Sequence, residues 1–107
     1  MLLGKGADVN AEGGEYGTAL QAASAGGHKE VVEMLLGKGA DVHAQGGEYG
    51  TALQAASEGG HKEVVQMLLG KGADVHAQGG EYGTVLQAAS AGGHKEVVEM
   101  LIHYHVE

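Results

Sequence analysis

The residues of this chain able to do chemistry recur in rows. His28, His61 and His94 lie 33 residues apart, and so do His43 and His76, with Asn10 one interval earlier. A shared Zn²⁺ would need ring nitrogens at about 2.0–2.1 Å. Equivalent residues of stacked units sit ~8–10 Å apart, so these rows do not converge on a metal. His103-Tyr104-His105 has the form H-x-H, but residues i and i+2 point apart on a helix, so no metal site is expected there. The loop Gly13-Gly14-Glu15-Tyr16-Gly17-Thr18 precedes a helix yet lacks the lysine of a phosphate-binding loop. Gly37-Lys38-Gly39-Ala40-Asp41 has a lysine but follows a helix. The His-Lys-Glu triplets have no nucleophile or oriented base beside them. No catalytic residue, metal or cofactor is expected.

Two further rows suit binding. Tyr16, Tyr49 and Tyr82 repeat at the same interval, and a tyrosine offers a partner both apolar area and a hydroxyl. The alternative is that each ring lies on its neighbour's loop and has a structural role. Glu15, Glu48 and Glu81 form either a solvated acidic edge or a site for a basic partner. Such an attraction would be screened over a Debye length of about 8 Å.

Composition narrows the partners. Six basic and fourteen acidic residues in 107 leave a net charge of −8. Phosphate backbones and anionic lipid repel such a chain, so nucleic acid and membrane surfaces are not expected partners. There is no cysteine, which removes disulfides and thiolate metal sites. No apolar run approaches the roughly 18 residues of a membrane span. Met1 opens into LLGKGADV, without the basic start or apolar core of a signal peptide, so a cytoplasmic location is the default expectation.

The rows come from a repeat that covers the chain. Residues 17–49 and 50–82 differ only at Ala25/Glu58 and Glu33/Gln66. A third copy starts at Gly83 and departs after Met100 as LIHYHVE, and residues 1–16 match the back half of a further copy. The expected division is 1–16, 17–49, 50–82 and 83–107, within one domain. A period of this size marks a stacked array whose units cannot bury their apolar faces alone.

Each unit reads as helix, turn, helix, exposed loop. Thr18-Ala19-Leu20-Gln21 fits a capping box and predicts a helix over 18–25. Gly26-Gly27 breaks it. A second helix is predicted over 28–38, with Glu30 in its first turn and Val31, Val32, Met34, Leu35 and Leu36 as its apolar stripe. Gly39 is the expected left-handed residue after that helix. The glycines at 46, 47 and 50 suggest a tight loop or short hairpin.

These residues resemble the ankyrin repeat family. The matching positions are Thr18-x-Leu20, Ala23, Gly27-His28-x-Glu30-Val31-Val32, Leu35-Leu36 and Gly39-Ala40-Asp41-Val42. The wording GGEYGTALQAAS is similar to ankyrin arrays appended to fungal NACHT-type receptor ATPases, although no ATPase is present in this chain. Two departures stand out. The usual T-P-L-H is Thr18-Ala19-Leu20-Gln21, so Gln21 takes the capping role. The usual loop-tip Asp and Gly are here Gly13 and Tyr16, Gly46 and Tyr49, Gly79 and Tyr82.

The resemblance implies an all-α solenoid, a structural role for the Gly-His turns and a small packed residue at Ser24, Ser57 and Ser90. It also implies that an unknown protein partner binds a concave face of loop tips and first helices, without catalysis. By position, that face includes Glu15, Tyr16, Glu48, Tyr49, Glu81 and Tyr82 at the tips, with Ala25, Glu58 and Ala91 on the first helices. The competing expectation is a self-associating structural scaffold, or an engineered consensus array, stacking through uncapped ends. Met1, Leu2 and Leu3 belong there to a helix without its partner, and Ile102 and Tyr104 keep the other end apolar. The missing glycines after Met100 should let the last helix run on. Deleting Met1 to Val9 is expected to lower the melting temperature and the association state. If scattering and melting curves show neither change, the ends do not associate.

Overall fold

The computed structural model describes residues 9–11, 17–48, 50–80 and 83–106, with the backbone alone for 105 and 106. The first unit consists of α1 (Ala19–Gly26) and α2 (Lys29–Gly37). The second consists of α3 (Ala52–Gly59) and α4 (Lys62–Gly70). The two-residue strands β1 (Gln78–Gly79) and β2 (Gly83–Thr84) then lead into α5 (Val85–Ala91) and α6 (Lys95–Val106). The strands pair antiparallel, Gln78 with Thr84 and Gly79 with Gly83. One unit earlier, Gly46 and Gly50 form a single antiparallel bridge. The stack measures 41 × 23 × 20 Å, so it grows along one axis as a solenoid does.

Each first helix starts as its sequence dictates. The Thr18 side chain accepts from the Gln21 N–H at 3.3 Å, and Gln21 Oε1 accepts from the Thr18 N–H at 2.7 Å. Thr51 with Gln54 and Thr84 with Gln87 form the same reciprocal box. The threonine is the cap itself, so the helical residues begin one later than predicted.

Both helices of a unit close on a left-handed glycine. After α1, Gly27 (φ 72°) lets the His28 N–H reach the Ala23 carbonyl at 3.0 Å. After α2, Gly39 (φ 91°) does the same for Ala40 and the Leu35 carbonyl, also at 3.0 Å. A residue with a Cβ would be strained at either site. The last unit lacks the second glycine, and α6 extends to 12 residues against 9 in α2 and α4.

The core forms where the two helix rows meet. Leu20 and Leu53 are buried from the first helices. Val32, Val65, Leu35, Leu68 and Leu101 are buried from the second. Neighbouring first helices approach through small residues, with Ala52, Ala55, Ala56, Ala88 and Ala89 all buried. The second helices touch one another much less than the first helices do. The first helices are therefore the closely packed side of the stack.

Ser24 and Ser57 are fully buried in this tight row, and neither hydroxyl has a partner among the described residues. An unpaired buried hydroxyl costs about 1–3 kcal/mol. Ser57→Ala is therefore expected to stabilise the chain by roughly 1 kcal/mol. A lower melting temperature in calorimetry would show instead that the hydroxyl is bonded.

Candidate protein-binding surface and the bonds that position it

The loops and first helices are held together by one side chain per unit. Gln21 is 1% exposed and Gln54 is 2% exposed. Each spends its amide oxygen inside its own unit, on the threonine N–H. Its amide nitrogen crosses to the next unit. Gln21 Nε2 donates to the Gly46 carbonyl at 3.0 Å and also to the Gly50 carbonyl. Gln54 Nε2 donates to the Gly79 carbonyl at 2.8 Å and to the Gly83 carbonyl at 3.0 Å. The base of each hairpin is thereby fixed to the start of the preceding first helix.

A second bond couples the units at the other end of the first helices. His61 Nε2 lies 3.0 Å from the Ala25 carbonyl, and His94 Nε2 lies 2.8 Å from the Glu58 carbonyl. A carbonyl only accepts, so in each pair the ring donates. The rings stand directly over Gly27 and Gly60, where a Cβ would collide with them. Gly-Gly-His is therefore a joint between units as well as a turn within one.

A third bond, near the exit loops, joins the first unit to what precedes it. The Asp41 N–H donates to Asn10 Oδ1 at 2.7 Å. Asp41 and Asp74 in turn accept from the His43 and His76 N–H groups at 2.9 Å. On the outer side, Lys62 and Glu96 pair at 3.1 Å between exposed side chains, a contact worth little in solvent.

The expected contact residues divide into two sets. Glu48 is exposed at the tip of the Gly46–Gly50 bridge. Ala25 and Glu58 are half-buried and Ala91 is exposed, in equivalent places on α1, α3 and α5. Ile102 and Tyr104 are exposed on α6. Glu15, Tyr16, Tyr49, Glu81 and Tyr82 lie outside the described residues, as do Met1, Leu2 and Leu3. No three His, Cys, Asp or Glu among the described residues gather as metal ligands would.

Sequence reasoning found the Gln-Thr box and missed the glutamine's second attachment. One signal was available: a capping Gln uses only its oxygen on the threonine. An amide nitrogen buried beside it must find acceptors elsewhere. The His-to-carbonyl joint carried no comparable signal, because its acceptor is a backbone atom 36 residues away.

A family model described as ankyrin repeats (3 copies) matches residues 1–79 and 48–107. A 26-residue stretch is 73% identical to part of the azaphilone pigments biosynthesis cluster protein L of Monascus ruber. That stretch is 24% of this chain and 6% of the fungal protein. No helix among the described residues is long and apolar enough to cross a membrane.

The two states of the glutamine give a direct test. Gln54 is buried and bonded across a junction, while Gln87 is exposed and caps only its own helix. Gln54→Ala strands two carbonyls and an N–H, and is expected to cost about 2 kcal/mol or more. Gln87→Ala is expected to cost at most about 1 kcal/mol. Equal losses in denaturant melts would mean that the crossing bonds contribute nothing.

Proposed function

We propose, since the chain belongs to the ankyrin repeat family, that it binds a protein partner on the concave side of the stack. Ankyrin repeats are generally protein–protein interaction modules, and the family is typically non-catalytic. The observation that carries the finer reading is the asymmetry of packing. First helices crowd together through alanines while second helices barely meet. Tighter packing on one side favours curvature towards it, and in this reading the first-helix side and its hairpin tips form a hollow for another protein. In this reading the divisions 1–16, 17–49, 50–82 and 83–107 supply three tips, at Glu15-Tyr16, Glu48-Tyr49 and Glu81-Tyr82. Ala25, Glu58 and Ala91 make up the floor beside them. Glu48 is exposed and free to meet a basic group, and the rings supply apolar anchors.

The acidic balance of the chain favours a partner with a neutral or basic face.

A self-associating scaffold is the second reading. It is favoured by Ile102 and Tyr104, each 47% exposed at one end of the array.

The test of the first reading is selection of a displayed peptide library on the immobilised chain, followed by titration of the ligands against Tyr49→Ala and Glu48→Ala. Tyr49→Ala is expected to weaken binding by more than about 1 kcal/mol while the melting temperature holds. A lower melting temperature with unchanged affinity would assign the ring a structural role and remove it from the binding face.

A further inference from the structure

Residues 17–49 and 50–82 are the same at all but two positions, and those two lie on opposite sides of the stack. Where the first unit has Ala25 on α1, the second has Glu58 on α3. Where the first has Glu33 on α2, the second has Gln66 on α4. Each unit keeps four acidic residues and two lysines. Between the two units, then, a negative charge changes sides while the total stays the same. Glu33 and Gln66 are exposed, whereas Glu58 is half-buried.

Glu58 stands on a side of the stack that has no lysine. Among the described residues every lysine lies on a second helix or directly after one: Lys29, Lys38, Lys62, Lys71 and Lys95. Residues 17–28, 44–61 and 77–94, which span the first helices, contain no lysine or arginine. On the second-helix side Lys62 pairs with Glu96, while Glu58 has no ion pair among the described residues. The rest of α3 is closed, since every residue from Ala52 to Ser57 is at most 2% exposed. Glu58 and Gly59 are therefore all that this helix offers to a partner. Gly59 is exposed, and the His61 ring fills the place that a Cβ would take there. A group approaching from outside meets the Glu58 side chain beside bare backbone. Ala25 and Ala91 hold the same place on α1 and α5 without charge.

We propose that Glu58 sets the register of the bound partner. An extended segment lies along the first-helix side, with one lysine or arginine on Glu58 and small uncharged residues over Ala25 and Ala91. The proposal rests on the protein-binding reading and deepens it by naming the partner's chemistry. Near-identical units present nearly the same surface at each step, so a linear partner could bind equally well one unit along. A single charged position on the floor removes that degeneracy. Sliding by one unit puts the cation over an alanine and leaves the half-buried Glu58 without its counter-charge, so both groups are unpaired. Neighbouring units lie ~8–10 Å apart, and an extended chain rises about 3.3 Å per residue. The contacts over Ala25, Glu58 and Ala91 are then about three residues apart on the partner. An arginine fits best, because its planar fork can engage both carboxylate oxygens.

Peptides selected from a displayed library on the wild-type chain, then titrated against variants, read the outcome. The ligands are expected to carry one lysine or arginine, with small uncharged residues about three positions to either side. Glu58→Gln is expected to weaken them about tenfold or more while the melting temperature holds. Glu33→Gln removes the same charge from the other side of the stack and is expected to change affinity by less than about twofold. The double variant Ala25→Glu/Glu58→Ala shifts the acid by one unit at constant charge. A nitroxide on one end of the peptide is expected to broaden amide NMR signals one unit nearer the N-terminus in that variant than in the wild type. Equal losses in Glu58→Gln and Glu33→Gln, or broadening that stays in place, overturn the register role. Ligands that lack a basic residue and still shift the signals of Ala25, Glu58 and Ala91 overturn it too, and leave the protein-binding reading standing. Ligands that shift only second-helix signals, or a library that yields none, overturn both.

Discussion

A buried amide that must satisfy two units at once governs this fold. Gln21 and Gln54 sit at the N-termini of first helices, where free N–H groups need acceptors. The side-chain oxygen meets that need within the unit. Geometry then leaves the amide nitrogen facing the next unit, and burial makes its satisfaction obligatory. The next hairpin can only sit where its glycine carbonyls reach that nitrogen. Helix capping and unit stacking are in this way one requirement. Gly50 answers to the cap of its own unit as well: its φ of 83° and the Gln54 amide packed against it leave no room for a Cβ.

The histidine joint applies the same logic at the far end of the first helix. A ring from one unit lies over the paired glycines of the unit before and bonds the carbonyl beside them. Two tethers per junction fix the angle between units, and the alanine row between them fixes the distance. Leucine and valine burial supplies the driving force, at about 1.5–3 kcal/mol per buried side chain. The tethers decide which of many apolar contacts forms. Helices of eight and nine residues would be marginal alone, so no unit is expected to fold without a neighbour.

Much of this was legible in the sequence because it is local. Thr18 and Gln21 announce a helix start, Gly27 and Gly39 announce two stops, and the 33-residue period announces stacking. The short hairpin was readable from Gly46, Gly47 and Gly50. What was not legible lies between units. The acceptors of Gln54 Nε2 and His61 Nε2 are backbone carbonyls, which every residue possesses, so residue type cannot point to them. The buried Ser24 and Ser57 hydroxyls are similar: a serine on a helix gives no sign that its surroundings will lack an acceptor. The tyrosine row remains an expectation from sequence, since its members fall outside the described residues.

Near-identity of the units has a physical consequence of its own. Residues that hold one junction together are the same residues in every junction, so an internal surface and an end surface differ only in being covered. Leu53 and Leu86 illustrate this: same side chain, same place in the unit, 1% and 41% exposed. An array of diverged units would mark its ends with residues that fit nothing inside. Here the marks are few. Val85 stands where Ala52 stands, and His103-Tyr104-His105 replaces the exit turn on a helix that is three residues longer. That extension occupies the place where the next exit turn would begin.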